Sequence, residues 1–391
     1  MSEIAADRIN PSLYRMLDRT VGAVLRRYMH YTGEMVDEAK GPFIVLANHT
    51  TDLDPIYLVH AFREPLYFVA SEHVFRKGFV SSVLERIFHP IHRLKGTTDA
   101  TAAKLILKRV RDGCSVAMFP EGNRNYNGVT GACFPATGKL IRLSGADLYT
   151  YRIKGGYLRT PRWSRTFRDG RIRGEKAGYY PAAMLRSMQP EEINELIRRD
   201  LYVDAFAEQE KDGSRYDGKT LAEYLETAFY ICPSCGRMHT MRSKDDTFAC
   251  SACGYAVKMT DTGRFLGDKV IFETPRDWDR WQSEQMNGIK PEDVLLEDDE
   301  VITTIWDADG ACRVLPPAPL RMTGTEIGFG RRTLPLSVLT GMGNVGRAKI
   351  NFSAEGIAYQ LSSKDPRWCG RKYTDLFLIL KKKEGAVETT A

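Results

Sequence analysis

Pro42-Phe43-Ile44-Val45-Leu46-Ala47-Asn48-His49-Thr50-Thr51-Asp52-Leu53-Asp54 is the stretch that decides how this chain is read. It opens behind Gly41 with an apolar run of strand length, which predicts a buried strand. It then turns at once to residue types that favour loops and helix caps. Two further runs share this character, Leu66 to Ala70 and Ser115 to Phe119. Between them, Thr98 to Arg111 places Ala, Leu and Val at helical spacing, with Gly113 just past the end as a C-cap. Strands alternating with helices predict an α/β fold, a mixed sheet with flanking helices. In such folds ligands sit at the carboxyl ends of strands.

Upstream, Ile9 to about His30 reads as a helix, with Leu13, Leu17, Val21, Val24, Leu25 and Tyr28 at helix-like intervals. Downstream, Pro190 to Phe229 is helical and charged. Beyond Met259, short β-prone runs alternate with turns: Val301 to Trp306, Ala348 to Phe352, Gly356 to Leu361 and Leu376 to Leu380. The expected organisation is three parts: residues 1–228 around the α/β sheet, 229–260 around paired cysteines, and 261–391 as a mainly β domain. The run Glu297-Asp298-Asp299-Glu300 reads as a solvated loop.

His49 precedes Asp54 by five residues, just after a buried strand. A neutral imidazole takes a proton from a hydroxyl when one ring nitrogen is free and the other carries a proton fixed by a carboxylate. This is the base-and-orienter half of a catalytic triad, with the nucleophile left to the substrate. Asp52 competes for the orienting role, and its expected task is a cap or turn contact. A second polar cluster, Phe119-Pro120-Glu121-Gly122-Asn123-Arg124, follows another buried strand. Gly122 allows close backbone approach to a ligand. Arg124 offers a planar fork suited to phosphate. Glu121 can accept from a ligand hydroxyl or hold Arg124.

Together, in this order, the two motifs resemble the lysophospholipid (glycerol-phosphate) acyltransferase family over roughly residues 35 to 155. That family carries N-H-x-x-x-x-D and F-P-E-G-x-R on one α/β domain, matched here by Asn48, His49, Asp54, Glu121, Gly122 and Arg124. A segment ending in arginine usually lies between them, and Ile91-His92-Arg93 stands in that place. Asn123 and Asn125 occupy positions where Thr and Ser are usual, and the family's fourth, proline-centred motif is blurred near Leu148 to Gly156. The resemblance implies a 1-acylglycerol-3-phosphate acyltransferase-like enzyme of phospholipid synthesis. His49 and Asp54 are then catalytic, and Asn48, Arg93, Glu121, Gly122 and Arg124 bind substrate. The donor is acyl-CoA or acyl carrier protein, and the acceptor is lysophosphatidic acid or a related lysolipid.

The 391 residues are 43% hydrophobic and 27% charged, with a net charge of +6. That composition suits a globular chain with anionic partners. No run reaches the ~18–20 apolar residues of a membrane-spanning helix, and the N-terminus lacks the basic-then-apolar layout of a secretory signal. A lipid substrate would therefore be met from a membrane surface, by a cytoplasmic protein peripheral at the inner face. Arg152, Lys154, Arg159, Arg162, Arg165, Arg168, Arg171, Arg173 and Lys176 crowd one region, interleaved with Tyr157, Trp163 and Phe167. This reads as a docking surface for an anionic membrane, to which the N-terminal helix adds an amphipathic contact.

Four of the eight cysteines form Cys232-Pro233-Ser234-Cys235-Gly236 and Cys250-Ser251-Ala252-Cys253-Gly254. Two C-x-x-C turns, each closed by glycine, predict tetrahedral thiolate coordination of structural zinc and resemble a zinc ribbon. The segment beyond loosely resembles a pleckstrin-homology-like barrel. The competing readings are a non-catalytic lipid-binding protein on a decayed acyltransferase domain, or a nucleic-acid-binding protein using the ribbon and the basic stretch. The intact His49, Asp54, Glu121 and Arg124 argue against decay, only the ribbon and the basic stretch support the second reading, and nucleic acid is not the expected partner.

Overall fold

The computed structural model describes residues 8–71, 87–93, 100–307 and 311–388. The chain divides into two compact units, the first running to Gly218 and the second from Lys219, with Trp163–Arg165 grouped with the second. The cysteine pairs and the later strands thus fall in one unit. Its boundary comes earlier than residue 228.

The first unit is built on a seven-stranded sheet. Its strands are β1 (Tyr31–Gly33), β2 (Phe43–Ala47), β3 (Leu66–Ser71), β4 (Ile91–Arg93), β5 (Ser115–Met118), β6 (Asp147–Lys154) and β7 (Ile172–Tyr180). They lie in the order β1-β7-β6-β2-β5-β3-β4. All neighbours are parallel except β6 with β7. β2 is central and wholly buried. Its alternate side chains enter two cores, one on each face. Phe43, Val45 and Ala47 pack with Tyr57, Leu58 and Phe62, from or just after α3 (Asp54–Ala61). Ile44 and Leu46 pack with Ile106 of α4 (Ala100–Arg111), Ile141 of α5 (Ala136–Ser144) and residues of α8 described below. A strand covered on both faces has no polar alternation to show, which is why the run reads as continuously apolar.

The N-terminal segment is helical as expected. It is α1 (Pro11–Leu17), a π-helical turn (Asp18–Gly22) and α2 (Ala23–Tyr28) in succession. The side chain of Asn10 caps its start. The remaining helices are α6 (Gly156–Arg159), α7 (Ala182–Ser187), α8 (Pro190–Leu201) and α9 (Ala205–Asp212). Ile193 and Ile197 of α8 sit in the core of the Ile44 face. The helical, charged stretch from Pro190 ends at Asp212, and turns follow it.

The second unit has two antiparallel sheets. The smaller contains β8 (Met241–Lys244), β9 (Thr247–Cys250), β10 (Ala256–Met259) and β11 (Phe265–Leu266). Trp278 of α10 (Pro275–Gly288) is buried against it, ringed by Phe229, Phe248, Tyr255 and Phe265. The larger sheet is β12 (Leu295–Trp306), β13 (Cys312–Val314), β14 (Ala318–Thr323), β15 (Glu326–Phe329), β16 (Arg332–Pro335), β17 (Leu339–Val345), β18 (Lys349–Ala354) and β19 (Ile357–Ser363).

Two expectations fail here. Leu376 to Leu380 is not a strand but lies within α11 (Arg371–Glu388). Tyr373, Leu376, Phe377 and Leu380 recur at helical spacing, and all four are buried in the core of the larger sheet. The acidic run from Glu297 is part of β12 rather than a free loop. Asp298 accepts from Lys372 Nζ at 2.7 Å, Tyr373 Oη at 2.8 Å and Trp368 Nε1 at 2.9 Å. Asp298 is half-buried among these donors, while Glu297, Asp299 and Glu300 are exposed, as expected of a solvated run.

Candidate active site

β2 and β5 are parallel neighbours, so the chain leaves both at the same edge of the sheet. That register brings together two motifs seventy-two residues apart: the backbone N–H of His49 donates to Glu121 Oε1 at 2.7 Å. β6 flanks β2 on its other side. Asn48 is buried there, and its carboxamide donates to the carbonyl of Ile153 at 2.8 Å and accepts from the Ile153 N–H at 2.7 Å. The side chain expected to bind substrate thus ties the end of β2 to β6.

His49 Nδ1 lies 2.9 Å from Asp54 Oδ2. Asp54 is 0% exposed at the first position of α3, while the His49 side chain retains 22%. The loop between them folds back around the carboxylate. Oδ2 also accepts from the backbone N–H of Thr50 at 2.6 Å and of Thr51 at 2.9 Å. Oδ1 accepts from Thr50 Oγ1 at 3.0 Å and Thr51 Oγ1 at 2.8 Å. With every direction around it occupied, the carboxylate holds one orientation and presents Oδ2 to the ring. The Phe119 ring stacks on the imidazole, with centroids 4.4 Å apart and planes 19° apart. Phe119 thus lies flat against one face of the imidazole and limits its rotation about the bond to Asp54. Gly156 closes the loop from the side of β6: a Cβ there would come within 2.1 Å of Thr50 Oγ1.

Glu121 accepts with both oxygens, from the His49 N–H and from the Gly131 N–H at 2.5 Å. Burial pushes its carboxyl up to about 8, against the lowering effect of those two N–H groups, and the nearby Asp54 raises it further. The two accepted N–H bonds brace the loop that carries the base. Gly122 has φ 68°, and its N–H closes a turn onto the Phe119 carbonyl at 3.0 Å. Arg124 donates from Nε to the Thr50 carbonyl at 3.0 Å and from Nη2 to the Thr160 carbonyl at 2.5 Å. It also pairs through Nη1 with Asp52 at 3.1 Å, which is the contact Asp52 makes in place of the orienting role. These contacts take three of the guanidinium's five N–H donors. Arg93 ends β4, and its side chain lies outside the described residues.

Only part of the basic stretch is the open cationic surface its composition suggests: Arg165, Phe167, Arg171 and Arg173 are exposed, and others are not. Arg159, Arg162 and Arg168 are 3%, 5% and 2% exposed, and they donate to the carbonyls of Gly170, Arg124 and Leu158 respectively. Lys154 pairs with Glu175 and Glu208, Arg173 with Asp212 and Lys176 with Glu38. Tyr157 is buried, its hydroxyl bonded to the Tyr126 carbonyl. Glu208, Asp212 and Glu38 come from distant parts of the chain, while Glu175 lies within the stretch. The guanidinium donors are used by loop carbonyls that would otherwise lack partners.

In the second unit, the sulfurs of Cys232, Cys235, Cys250 and Cys253 all lie within 4.8 Å of one another. Cys232 Sγ is 3.7 Å from Cys253 Sγ, and Cys235 Sγ is 3.8 Å from Cys250 Sγ. Four thiolates at a Zn–S distance of ~2.3 Å around a tetrahedral centre stand about 3.8 Å apart, so the cluster fits such an ion. The two turns are alike: the N–H groups of Gly236 and Gly254 bond the carbonyls of Cys232 and Cys250, with φ 70° and 76°.

Residue type marks Thr50 and Thr51 only as cap or turn residues and Phe119 only as the start of a motif, and it gives Gly131, Ile153 and Gly156 no individual role. Several of them act through backbone groups, which leave no mark in residue type. The two hydroxyl residues beside His49 were the one available signal.

Residues 28–159 match the Acyltransferase family model. A 1-acyl-sn-glycerol-3-phosphate acyltransferase of Borreliella burgdorferi is 31% identical over 118 residues, which are 30% of this chain and 47% of that protein. The chain thus spans about half the length of that curated relative. The crystal structure of the 1-acyl-sn-glycerophosphate (LPA) acyltransferase PlsC from Thermotoga maritima is similar at a TM-score of 0.41 and 18% identity, covering 48% of this chain and 78% of that one. The segment from 28 to 159, which holds His49, Asp54 and Glu121, is the part of the chain that is similar to the Acyltransferase family.

Proposed function

We propose that the first unit transfers a fatty acyl group from a thioester, acyl-CoA or acyl carrier protein, to the hydroxyl of lysophosphatidic acid or a related lysolipid. The observation that carries this reading is the 2.9 Å contact between His49 Nδ1 and a fully buried Asp54 that is itself held by four further donors. Such a carboxylate keeps the proton on Nδ1 and leaves Nε2 as the base. Nε2 takes the proton of the acceptor hydroxyl as its oxygen attacks the thioester carbonyl. The C–S bond then breaks, and the thiolate leaves with the proton returned by the imidazolium. Asp54 stabilises the imidazolium between those steps. The two N–H donors left on Arg124, together with Arg93, hold the acceptor phosphate, and Asn48, Glu121 and Gly122 fix the loops around it.

No helix among the described residues is long and apolar enough to cross a membrane. The lipid is reached from the inner face of the membrane, by a cytoplasmic protein bound peripherally. The four cysteines hold one structural zinc ion in a ribbon, which staples a small sheet and takes no part in the chemistry. The domain built on β12 to β19 and α11 is read as pleckstrin-homology-like.

The test is thiol release from a long-chain acyl-CoA, with and without lysophosphatidic acid, for the wild type and His49→Ala. Acceptor-dependent release that disappears in the variant supports the mechanism. Activity that survives the loss of His49 refutes it.

A further inference from the structure

A cleft of about 540 Å³ lies between the N-terminal helix and the last turn of α3, lined by Tyr14, Arg15, Asp18, Arg19, Val59, His60 and Arg63, with Met35. It contains none of the residues assigned to the acyl-transfer chemistry. Its acids are already engaged. Asp18 pairs with the buried Arg26 and faces His60 Nδ1 at 3.6 Å. Arg63 pairs with Asp37 at 2.8 Å. Glu64 acts on Tyr14 electrostatically but does not line the cleft. Arg15 and Arg19 are exposed and have no carboxylate within ion-pair distance among the described residues. Two guanidinium groups converging on one cleft, with an imidazole beside them, suit a phosphate.

The helix that carries them has an unusual outer face. Tyr14, Gly22 and Arg26 are buried, with the half-buried Asp18 completing a row four residues apart. An ordinary α-helix drifts by about 40° for every four residues. The wider π turn at Asp18–Gly22 offsets that drift, so rows four residues apart stay aligned. Two such rows face solvent side by side. One is Arg15, Arg19, Ala23 and Arg27. The other is Met16, Thr20, Val24 and Tyr28, in which Met16, Val24 and Tyr28 are 52%, 69% and 55% exposed. Val21 adds to the apolar side at 55%. A basic row beside an apolar row matches the interface of an anionic bilayer, where phosphates and acyl chains adjoin.

We propose that this cleft holds the phosphate headgroup of an anionic membrane lipid while the adjoining exposed rows of the helix lie in the bilayer interface. The proposal rests on the reading of the protein as a membrane-surface enzyme, but it concerns a site apart from the acyl-transfer chemistry.

The experiment is vesicle flotation of the full chain. Phosphatidylcholine vesicles containing phosphatidic acid are compared with vesicles containing phosphatidylglycerol at matched surface potential. The expected result is tighter binding to phosphatidic acid, whose monoester phosphate offers more acceptor oxygens to the arginines. In Arg15→Gln/Arg19→Gln that preference disappears, and affinity falls by about 25-fold, at about fivefold for each charge near the surface. Arg27→Gln, in the same row but outside the cleft, lowers binding to both vesicles by about fivefold and leaves the preference intact. Equal binding to the two vesicles would overturn the headgroup site, since surface charge alone would explain it. So would a preference that survives in the double variant. Glycerol 3-phosphate that saturates the cleft in calorimetry, with no vesicle binding, would reassign it to a soluble phosphate. Acyl transfer in detergent micelles, unchanged in the double variant, checks folding. It also separates failure of this site from failure of the enzyme reading, which His49→Ala tests independently.

Discussion

Asp54→Asn separates the charge of the proposed orienting carboxylate from its geometry. Asparagine has the same shape, and its carbonyl oxygen can take the Oδ2 position, accepting from His49 Nδ1 and the N–H groups of Thr50 and Thr51. Its NH₂ then faces Thr50 Oγ1 and Thr51 Oγ1, hydroxyls that rotate to accept. The loop and the histidine tautomer should both survive, and the lost quantity is the attraction between carboxylate and imidazolium. At 2.9 Å and an effective dielectric of about 20, that attraction is roughly 5–6 kcal/mol. A neutral hydrogen bond left in its place recovers about 1–1.5 kcal/mol. Partial exposure of the ring screens the remainder, leaving about 3–4 kcal/mol, or a 10²–10³-fold fall in kcat. The assay is ester formation from long-chain acyl-CoA and lysophosphatidic acid, followed by chromatography so that protein thiols do not interfere. Melting temperature is measured alongside. A variant within about threefold of wild-type kcat and equally stable would refute the orienting role. Asp54→Ala is the contrasting case. It strands two buried N–H groups at about 1–3 kcal/mol each and should unfold the loop as well as stop the reaction.

Glu121 gives a pH signature. Its carboxyl is raised to about 8 by burial, while in the unfolded chain it titrates near ~4.3. Between those values the folded protein keeps a proton that the unfolded chain has released, so this contribution to stability is full at low pH and is lost as pH rises through about 8. The total is at most about 5 kcal/mol. The melting temperature of the wild type should therefore fall relative to Glu121→Gln as pH is raised, and a constant difference between the two would contradict the assignment. For the cysteine cluster, purified protein should contain about one zinc per chain. Cys232→Ser/Cys250→Ser should lose both the metal and the calorimetric transition of the second unit, and full stability after chelation would remove zinc from the structure.

Much of this protein was legible in one dimension. The buried run at Phe43–Ala47, its polar exit at Asn48 and the positions of His49 and Asp54 follow from local periodicity and residue chemistry. So do the paired glycine-closed cysteine turns. A nearby histidine and aspartate can meet because the short chain between them limits their separation. The sequence also marked Glu121 and Arg124 as notable, but not what they do. Apart from the Asp52 carboxylate on Arg124, their partners are the His49 N–H, the Gly131 N–H and the carbonyls of Thr50 and Thr160. These four are backbone atoms common to every residue type, and the parallel register of β2 and β5 is what brings those of His49 and Thr50 into reach. The same reason explains the two largest misreadings. Arg159, Arg162 and Arg168 look like a surface until loop carbonyls close on them. Leu376 to Leu380 looks like a strand until the sheet beneath it selects the helical face it shares with Tyr373. Sequence by itself determined which chemical groups were available and which short segments were apolar. Burial, and therefore the task of each charged group, was decided by contacts between distant parts of the chain, because the cost of removing a charge from water depends on every partner that comes to meet it.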